Sequence, residues 1–193
     1  MALNKPKVLK AAEKYVIQGK ISHAIAEYQK LIKEDPTDLP LVNTLGDLYV
    51  RIGNIPEAVK SFTRLAESYD NGGFVVRAIA MYKKVCKTDP AQTNSLIRLA
   101  DLYIRQGLMS DARSHYLQAA EVLLRRGNLK EAAATFAKTV EVDPENPAID
   151  GRLAEVLLKA GQNAEALRAW HSAALKSRKK GSLAEAENYL KRA

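Results

Sequence analysis

Seven glycines, Gly19, Gly53, Gly73, Gly107, Gly127, Gly161 and Gly181, recur with a long and a short interval in strict alternation. Five residues after each stands an alanine: Ala24, Ala58, Ala78, Ala112, Ala132, Ala166 and Ala186. Four residues further on come Tyr28, Phe62, Tyr82, Tyr116, Phe136, Trp170 and Leu190. Such register means a chain built from repeated units, and the period decides the fold before any single residue does. Apolar residues flank each glycine at intervals of three to four, as in Leu45-x3-Tyr49 and Ala58-x3-Phe62-x2-Leu65. Both flanks are therefore amphipathic helices. The glycine sits at the residue after the first helix, where positive φ is needed and only glycine adopts it without steric cost. The alanine lets the two antiparallel helices approach closely, and the large residue one turn on fills the space beside it. Each glycine marks the bend of a helical hairpin.

Asp35-Pro36, Asp89-Pro90 and Asp143-Pro144 recur at equal intervals as a second punctuation. Proline cannot continue a helix and biases its predecessor away from helical geometry, so each pair closes one group and opens the next. Asn54-x2-Glu57, Asn128-x2-Glu131 and Ser182-x2-Glu185 read as capping boxes, and Asn146-Pro147 as a cap followed by proline at the first helical position. These signals predict eleven helices, near 5–18, 21–34, 39–52, 55–70, 74–88, 93–106, 109–126, 129–142, 147–160, 163–179 and 182–192.

Composition narrows the class. Apolar types make up 47% of the 193 residues and charged types 27%, which excludes a disordered or fibrous chain. No apolar run approaches the ~18 residues of a membrane span, and the basic start is broken by Lys10, Glu13 and Lys14 before any signal-peptide core could form. The single Cys86 can form no internal disulfide, so the expected setting is reducing and cytoplasmic. The net charge is +8, and the stretch 163–193 holds seven basic against three acidic side chains. Much of that excess is the basic patch Arg178, Lys179 and Lys180, placed where cations complement a helix C-terminus.

The residues resemble the tetratricopeptide repeat family, whose 34-residue motif places a large residue at position 4 and Leu, Gly or Ala, and Tyr at 7, 8 and 11. Gly follows at 15, Ala at 20, an aromatic at 24 and Pro at 32. The stretch from residue 39 supplies Leu45, Gly46, Tyr49, Gly53, Ala58 and Phe62. That from residue 59 supplies Phe62, Leu65, Ala66, Tyr69, Gly73, Ala78, Tyr82 and Pro90, and that from 93 supplies Leu96, Leu99, Ala100, Tyr103, Gly107, Ala112 and Tyr116. Motif starts fall near 5, 39, 59, 93, 113, 147 and 167. In the pairs starting at 39 and 59, 93 and 113, and 147 and 167, the second motif begins before the first has ended, so one helix serves two motifs. Phe62, Tyr116 and Trp170 then fill both the position-24 and position-4 roles. The true unit is a 54-residue block of three helices, as Leu45-Gly-Asp-Leu-Tyr, Leu99-Ala-Asp-Leu-Tyr and Leu153-Ala-Glu-Val-Leu show. The resemblance implies a single all-α domain over residues 1–193, a right-handed helical-repeat solenoid.

Enzymatic constellations are missing from the pattern. His23, His115 and His171 fall on three separate helices, none with a second His or a Cys at ligand spacing, so no metal site is expected. Cys86 has no histidine placed to activate it. No glycine cluster sits in a phosphate-binding cradle. Catalytic residues and cofactors are accordingly none. Ten of the twelve aromatic residues take motif positions that face neighbouring helices, leaving only Phe74 and Tyr189, so a nucleic acid lacks a stacking platform.

Stacked hairpins leave a surface that binds partners, and the expected function is a non-catalytic protein-interaction scaffold for a protein or peptide. The resemblance implies a groove lined by positions 2, 5, 9, 12 and 13 of each first helix. That selects Asn43, Asp47, Val50 and Arg51, then Ile97, Asp101, Ile104 and Arg105, then Glu155, Leu158 and Lys159. Within them Asp47/Arg51, Asp101/Arg105 and Glu155/Lys159 form acid–base pairs at i,i+4, a spacing that supports a helix by ~0.2–0.5 kcal/mol each. The acid at position 9 disfavours the carboxylate clamp by which some members hold chaperone tails. A self-assembling repeat module and a nucleic-acid-binding helical repeat are the alternatives. The last helix carries Leu183, Ala186, Tyr189 and Leu190 on one stripe. Further chain beyond residue 193 or a second copy covers that face, and a homodimer through the C-terminal end is the expectation, opposed by Lys179, Lys180, Lys191 and Arg192.

Overall fold

The computed structural model describes residues 4–193, and among these every regular element is a helix. They are α1 (Lys5–Ile17), α2 (Ile21–Glu34), α3 (Leu39–Arg51), α4 (Ile55–Asn71), α5 (Val75–Thr88), α6 (Thr93–Arg105), α7 (Met109–Arg125), α8 (Leu129–Val142), α9 (Pro147–Lys159), α10 (Asn163–Lys179) and α11 (Leu183–Arg192). Each predicted helix is found within one or two residues of its expected bounds. None is long and apolar enough to cross a membrane. The helices divide into two compact units, one ending at Pro90 and the other beginning at Ala91. Within each, consecutive helices pack as antiparallel neighbours: α1 to α5 in the first, α6 to α11 in the second.

The bends form as the sequence requires. All seven repeat glycines adopt positive φ, between 72° and 81°, and no other described residue does. At Gly107 the backbone N–H donates to the Ile104 carbonyl at 2.9 Å, and the next N–H, of Leu108, reaches back to Tyr103 at 2.9 Å. This double closure satisfies carbonyls that the helix end would leave unpaired. It also corrects one expectation. A capping box needs its glutamate to reach the backbone N–H of the capping residue. Here that N–H is already taken by the preceding helix, as in Asn54 to Tyr49, Asn128 to Leu123 and Ser182 to Ser177, each at 2.9 or 3.0 Å. Only Asn54 keeps the other half of the box, accepting from the Glu57 N–H at 3.4 Å, whereas Asn128 and Ser182 make no side-chain cap. Glu185 instead accepts from the Ser177 hydroxyl at 3.1 Å. The Asn146-Pro147 start is formed as expected, with Asn146 accepting from the Ala148 N–H.

The repeat alanines are the tightest contacts of the core: six of the seven have no exposed surface and Ala186 retains 7%. Of the large residues that follow them, Tyr28, Phe62, Tyr82, Tyr116, Phe136 and Trp170 are buried, while Leu190 on α11 is 52% exposed. Gly46 on α3 faces the Phe62 ring of α4. A Cβ there would lie within 2.9 Å of two Phe62 ring carbons and closer still to Cε1. At the Asp143-Pro144 turn, the Asn146 amide and the Arg113 guanidinium hold the Asp143 carboxyl below the usual carboxylate range.

Candidate functional site

The middle position of each first helix holds an acid, and each acid meets a base from the third helix of the same repeat. On α3, Asp47 pairs with Lys84 of α5 at 2.5 Å, and the same ammonium donates to Asn43 at 3.0 Å. It stands 4.2 Å above the Phe62 ring, a cation–π arrangement. On α6, Asp101 pairs with Lys138 of α8 at 3.6 Å and accepts from the Tyr116 hydroxyl. Burial, and then the hydrogen bond and charge of Asp101, push that phenol's pKa up. On α9, Glu155 pairs with Arg192 of α11 at 2.8 Å and with Arg152 at 3.2 Å. Arg152 also reaches Glu121 of α7, the main reason its own pKa is raised.

This corrects the acid–base pattern read along single helices. Asp47 and Glu155 are neutralised across helices, and Arg51 and Lys159 make no ion pair with a described residue. The bases that sequence reasoning missed, Lys84, Lys138 and Arg192, carried a signal: they follow Asp47, Asp101 and Glu155 at one constant interval and recur with the repeat itself. Where the ammonium also lies over an aromatic ring, as Lys84 does over Phe62, the cation–π contact offsets part of the entropy lost in holding the long side chain across two helices.

In the first unit, Asp47 and Arg51 open onto a cleft of about 430 Å³ bounded by α1, α2 and α3. Val16 and Ile17 from α1, Tyr28 from α2 and Leu48 from α3 make its apolar floor and wall, with Glu13 and Thr44 at the edge. Ile17 is 87% exposed and Val50 is exposed at the end of α3. In the second unit, Ile97, Asp101 and Ile104 are half-buried on α6 and Arg105 is exposed. Glu155 lines a smaller, charged cleft of about 240 Å³ with Gly151, Arg152, Tyr189 and Arg192. Leu158 is exposed, and Lys159 faces a different depression, shared with the α7–α8 bend at Gly127 to Glu131. The candidates of α9 are therefore split between two surfaces. In the basic patch, Lys179 is engaged with Glu145 at 3.0 Å while Arg178 and Lys180 stay exposed.

The groups weighed for chemistry have structural places. His23 packs 5.3 Å from the Tyr15 ring, His115 is stacked on Tyr103 at 5.5 Å, and His171 is exposed on α10. Among the described residues no three His, Cys, Asp or Glu side chains converge as a metal site would require. Cys86 is half-buried on α5, and burial pushes its thiol up to about 11. Its thiolate fraction at neutral pH is then roughly a hundredfold below that of an ordinary thiol. Alkylation by iodoacetamide should be slow in the folded protein and reach the rate of a free thiol only after unfolding, as followed by mass spectrometry. Equal rates in both states would contradict this burial.

Two models of the tetratricopeptide repeat match the chain, one over residues 43–121 and the other over 123–180. The human Superkiller complex protein 3 is 26% identical over 113 residues, 57% of this chain. The matched segment is 7% of that protein's length, so the chain corresponds to a small part of it. Among solved structures, BtubC from P. vanneervenii is similar with a TM-score of 0.45 at 16% identity, over 94% of this chain and 89% of that one. A thermophilic TPR protein from Thermus thermophilus is similar with a TM-score of 0.35 at 19% identity, over 96% and 98%. Family members are generally non-catalytic scaffolds for protein partners. With seven glycine bends, seven alanine contacts and two matching repeat models, this chain belongs to the tetratricopeptide repeat family.

Proposed function

We infer that the chain is a non-catalytic interaction module whose first-unit cleft takes a peptide carrying an apolar side chain next to a carboxylate. One observation supports this above the others: an apolar cleft of about 430 Å³ has Arg51 at its mouth, with no ionic partner among the described residues. Asp47, beside it, is already neutralised by Lys84, which leaves Glu13 on α1 and Arg51 on α3 as the other charges at the edge, with Arg51 the one cation among the lining residues. A guanidinium binds carboxylates in a planar fork, which makes it a recognition group rather than a mere counter-charge. The cleft walls belong to packed helices, so little ordering entropy is lost on binding.

The candidates on α6 and α9 extend this reading to the second unit, with Ile97, Ile104 and Leu158 as apolar contacts. The chain working as one domain over residues 1–193 is part of the same proposal. Its support is that Asp89-Pro90, where the units divide, repeats the Asp-Pro pairs found inside them. A reducing, cytoplasmic location is supported by the lone cysteine. Nucleic acid is disfavoured because Phe74 is the only well-exposed aromatic ring among the described residues, and Arg77 lies 5.3 Å from its centroid.

Selection of displayed random peptides on the intact chain tests the reading. Enriched peptides should share a leucine, isoleucine or phenylalanine within a few residues of Asp, Glu or a free C-terminus. Their binding should fall about tenfold or more in Arg51→Glu, the loss of one charge-assisted pair of ~1.5–3 kcal/mol. Enrichment of basic peptides, or of none, overturns it.

A further inference from the structure

Glu13, Tyr28, Thr44 and Asp47, which line the first-unit cleft, correspond two repeats later to Glu121, Phe136, Arg152 and Glu155. The helices α1, α2 and α3 thus have counterparts in α7, α8 and α9 of the second unit, and there the chain supplies its own occupant. The Arg152 guanidinium of α9 bonds Glu121 of α7 on one side and Glu155 of its own helix on the other, the latter at 3.2 Å. It lies 5.9 Å from the centroid of the Phe136 ring of α8. One cation joins two acids over an aromatic ring.

In the first unit that cation is missing. Thr44 stands in the place of Arg152; its hydroxyl donates to the Pro40 carbonyl of its own helix at 3.1 Å, and it brings no charge to the cleft. Asp47, the counterpart of Glu155, takes its cation from Lys84. Glu13, the counterpart of Glu121, is exposed and makes no ion pair with a described residue, Arg51 across the cleft included. Its charge is felt inside the cleft all the same: burial, and then Glu13, push the pKa of the Tyr28 phenol up. An acid that the fold neutralises with a guanidinium in one unit is left open in the other.

We propose that the peptide bound in the first-unit cleft also carries an arginine, whose guanidinium takes against Glu13 and Tyr28 the place that Arg152 takes against Glu121 and Phe136. This rests on the reading of Arg51 as a carboxylate site and adds the second charge to it. The partner is then a bipolar segment without net charge, its acid toward α3 and its base toward α1. Arginine fits better than lysine, because a planar guanidinium lies flat on a ring while its N–H groups reach a carboxylate at the edge. A cleft of about 430 Å³ suits a segment of a few residues.

Displayed random peptides selected in parallel on the intact wild-type chain and on Glu13→Gln test this. The wild-type selection should enrich arginine within a few residues of the acid–apolar pair. The Glu13→Gln selection should keep the pair and lose the arginine. A synthetic copy of the most enriched wild-type peptide should bind Glu13→Gln about tenfold more weakly by fluorescence anisotropy. Replacing its arginine with glutamine should weaken binding to wild type by a similar factor and binding to Glu13→Gln hardly at all, because the two groups act as a pair. Thr44→Arg should plug the cleft as Arg152 does in the second unit, lowering affinity at least about tenfold with an unchanged circular dichroism spectrum. Leu175→Asp, at an exposed position of α10, is the control and should bind as wild type does. Acid–apolar peptides enriched without arginine, or an arginine whose loss costs both proteins equally, overturn the proposal and leave the carboxylate reading standing. Absence of the acid–apolar pair from both selections overturns the two together.

Discussion

Lys176→Met should destabilise the second unit by about 3–5 kcal/mol, the cost of leaving a buried charge without its partner. The carboxylate at risk is Asp150, in the first turn of α9, which is 3% exposed. Lys176 of α10, its side chain 18% exposed, makes the ion pair that compensates it. Methionine keeps the stem's packing and removes only the ammonium, so the loss reports on the charge rather than on a cavity. The double variant Asp150→Asn/Lys176→Met should recover most of the stability, because neutral groups do not carry the desolvation penalty of an isolated carboxylate. Urea unfolding of the three proteins gives the comparison. A single variant within about 0.5 kcal/mol of wild type would mean that water reaches Asp150 freely.

Gly46→Leu should cost about 3 kcal/mol in the first unit, at the upper end of the range for overpacked cores. Even a methyl group at this position collides with the Phe62 ring, which has no exposed surface. The equivalent positions one and two repeats on are Ala100 and Ala154, and the residues equivalent to Phe62 are Tyr116 and Trp170. Of the three sites, the first-unit one holds glycine, and there the facing ring already occupies the place of a Cβ. Gly46→Ala combined with Phe62→Leu should be better tolerated than Gly46→Ala alone, since the smaller side chain returns the volume. If Gly46→Leu melts at the wild-type temperature, α3 and α4 do not pack through this contact.

The fold was legible because its signals are local and repeated. A glycine forced to positive φ, an alanine five residues later and an aromatic four beyond that fix a bend, a close approach and a filler, and each copy confirms the others. The caps were legible only in part. Asn128-x2-Glu131 has the residues of a box, but the hairpin assigns the Asn128 N–H to Leu123 of the preceding helix. A motif that works at an isolated helix start cannot form where one helix ends in the turn that begins the next.

The candidate site was less legible, for a related reason. Asp47 and Arg51 are neighbours on one helix face by spacing, yet Asp47 meets Lys84, and Arg51 is left to the cleft. Helical periodicity reports which residues share a face, whereas the pairing of a charge depends on the helix packed beside it. The constant interval from acid to base, present three times, carried that information without any local pattern to announce it. The apolar cleft of the first unit was hidden for the same reason, since Val16 and Ile17 come from α1, Tyr28 from α2 and Leu48 from α3.

Isothermal titration calorimetry of a selected acidic–apolar peptide against wild type, Arg51→Glu and Leu175→Asp tests the reading of the first-unit cleft most directly. All three proteins should stay folded, because Arg51 and Leu175 are exposed. The account predicts an affinity loss of about tenfold or more in Arg51→Glu alone, with Leu175→Asp binding as wild type does. Unchanged affinity in Arg51→Glu would contradict it and move recognition away from the cleft between α1, α2 and α3.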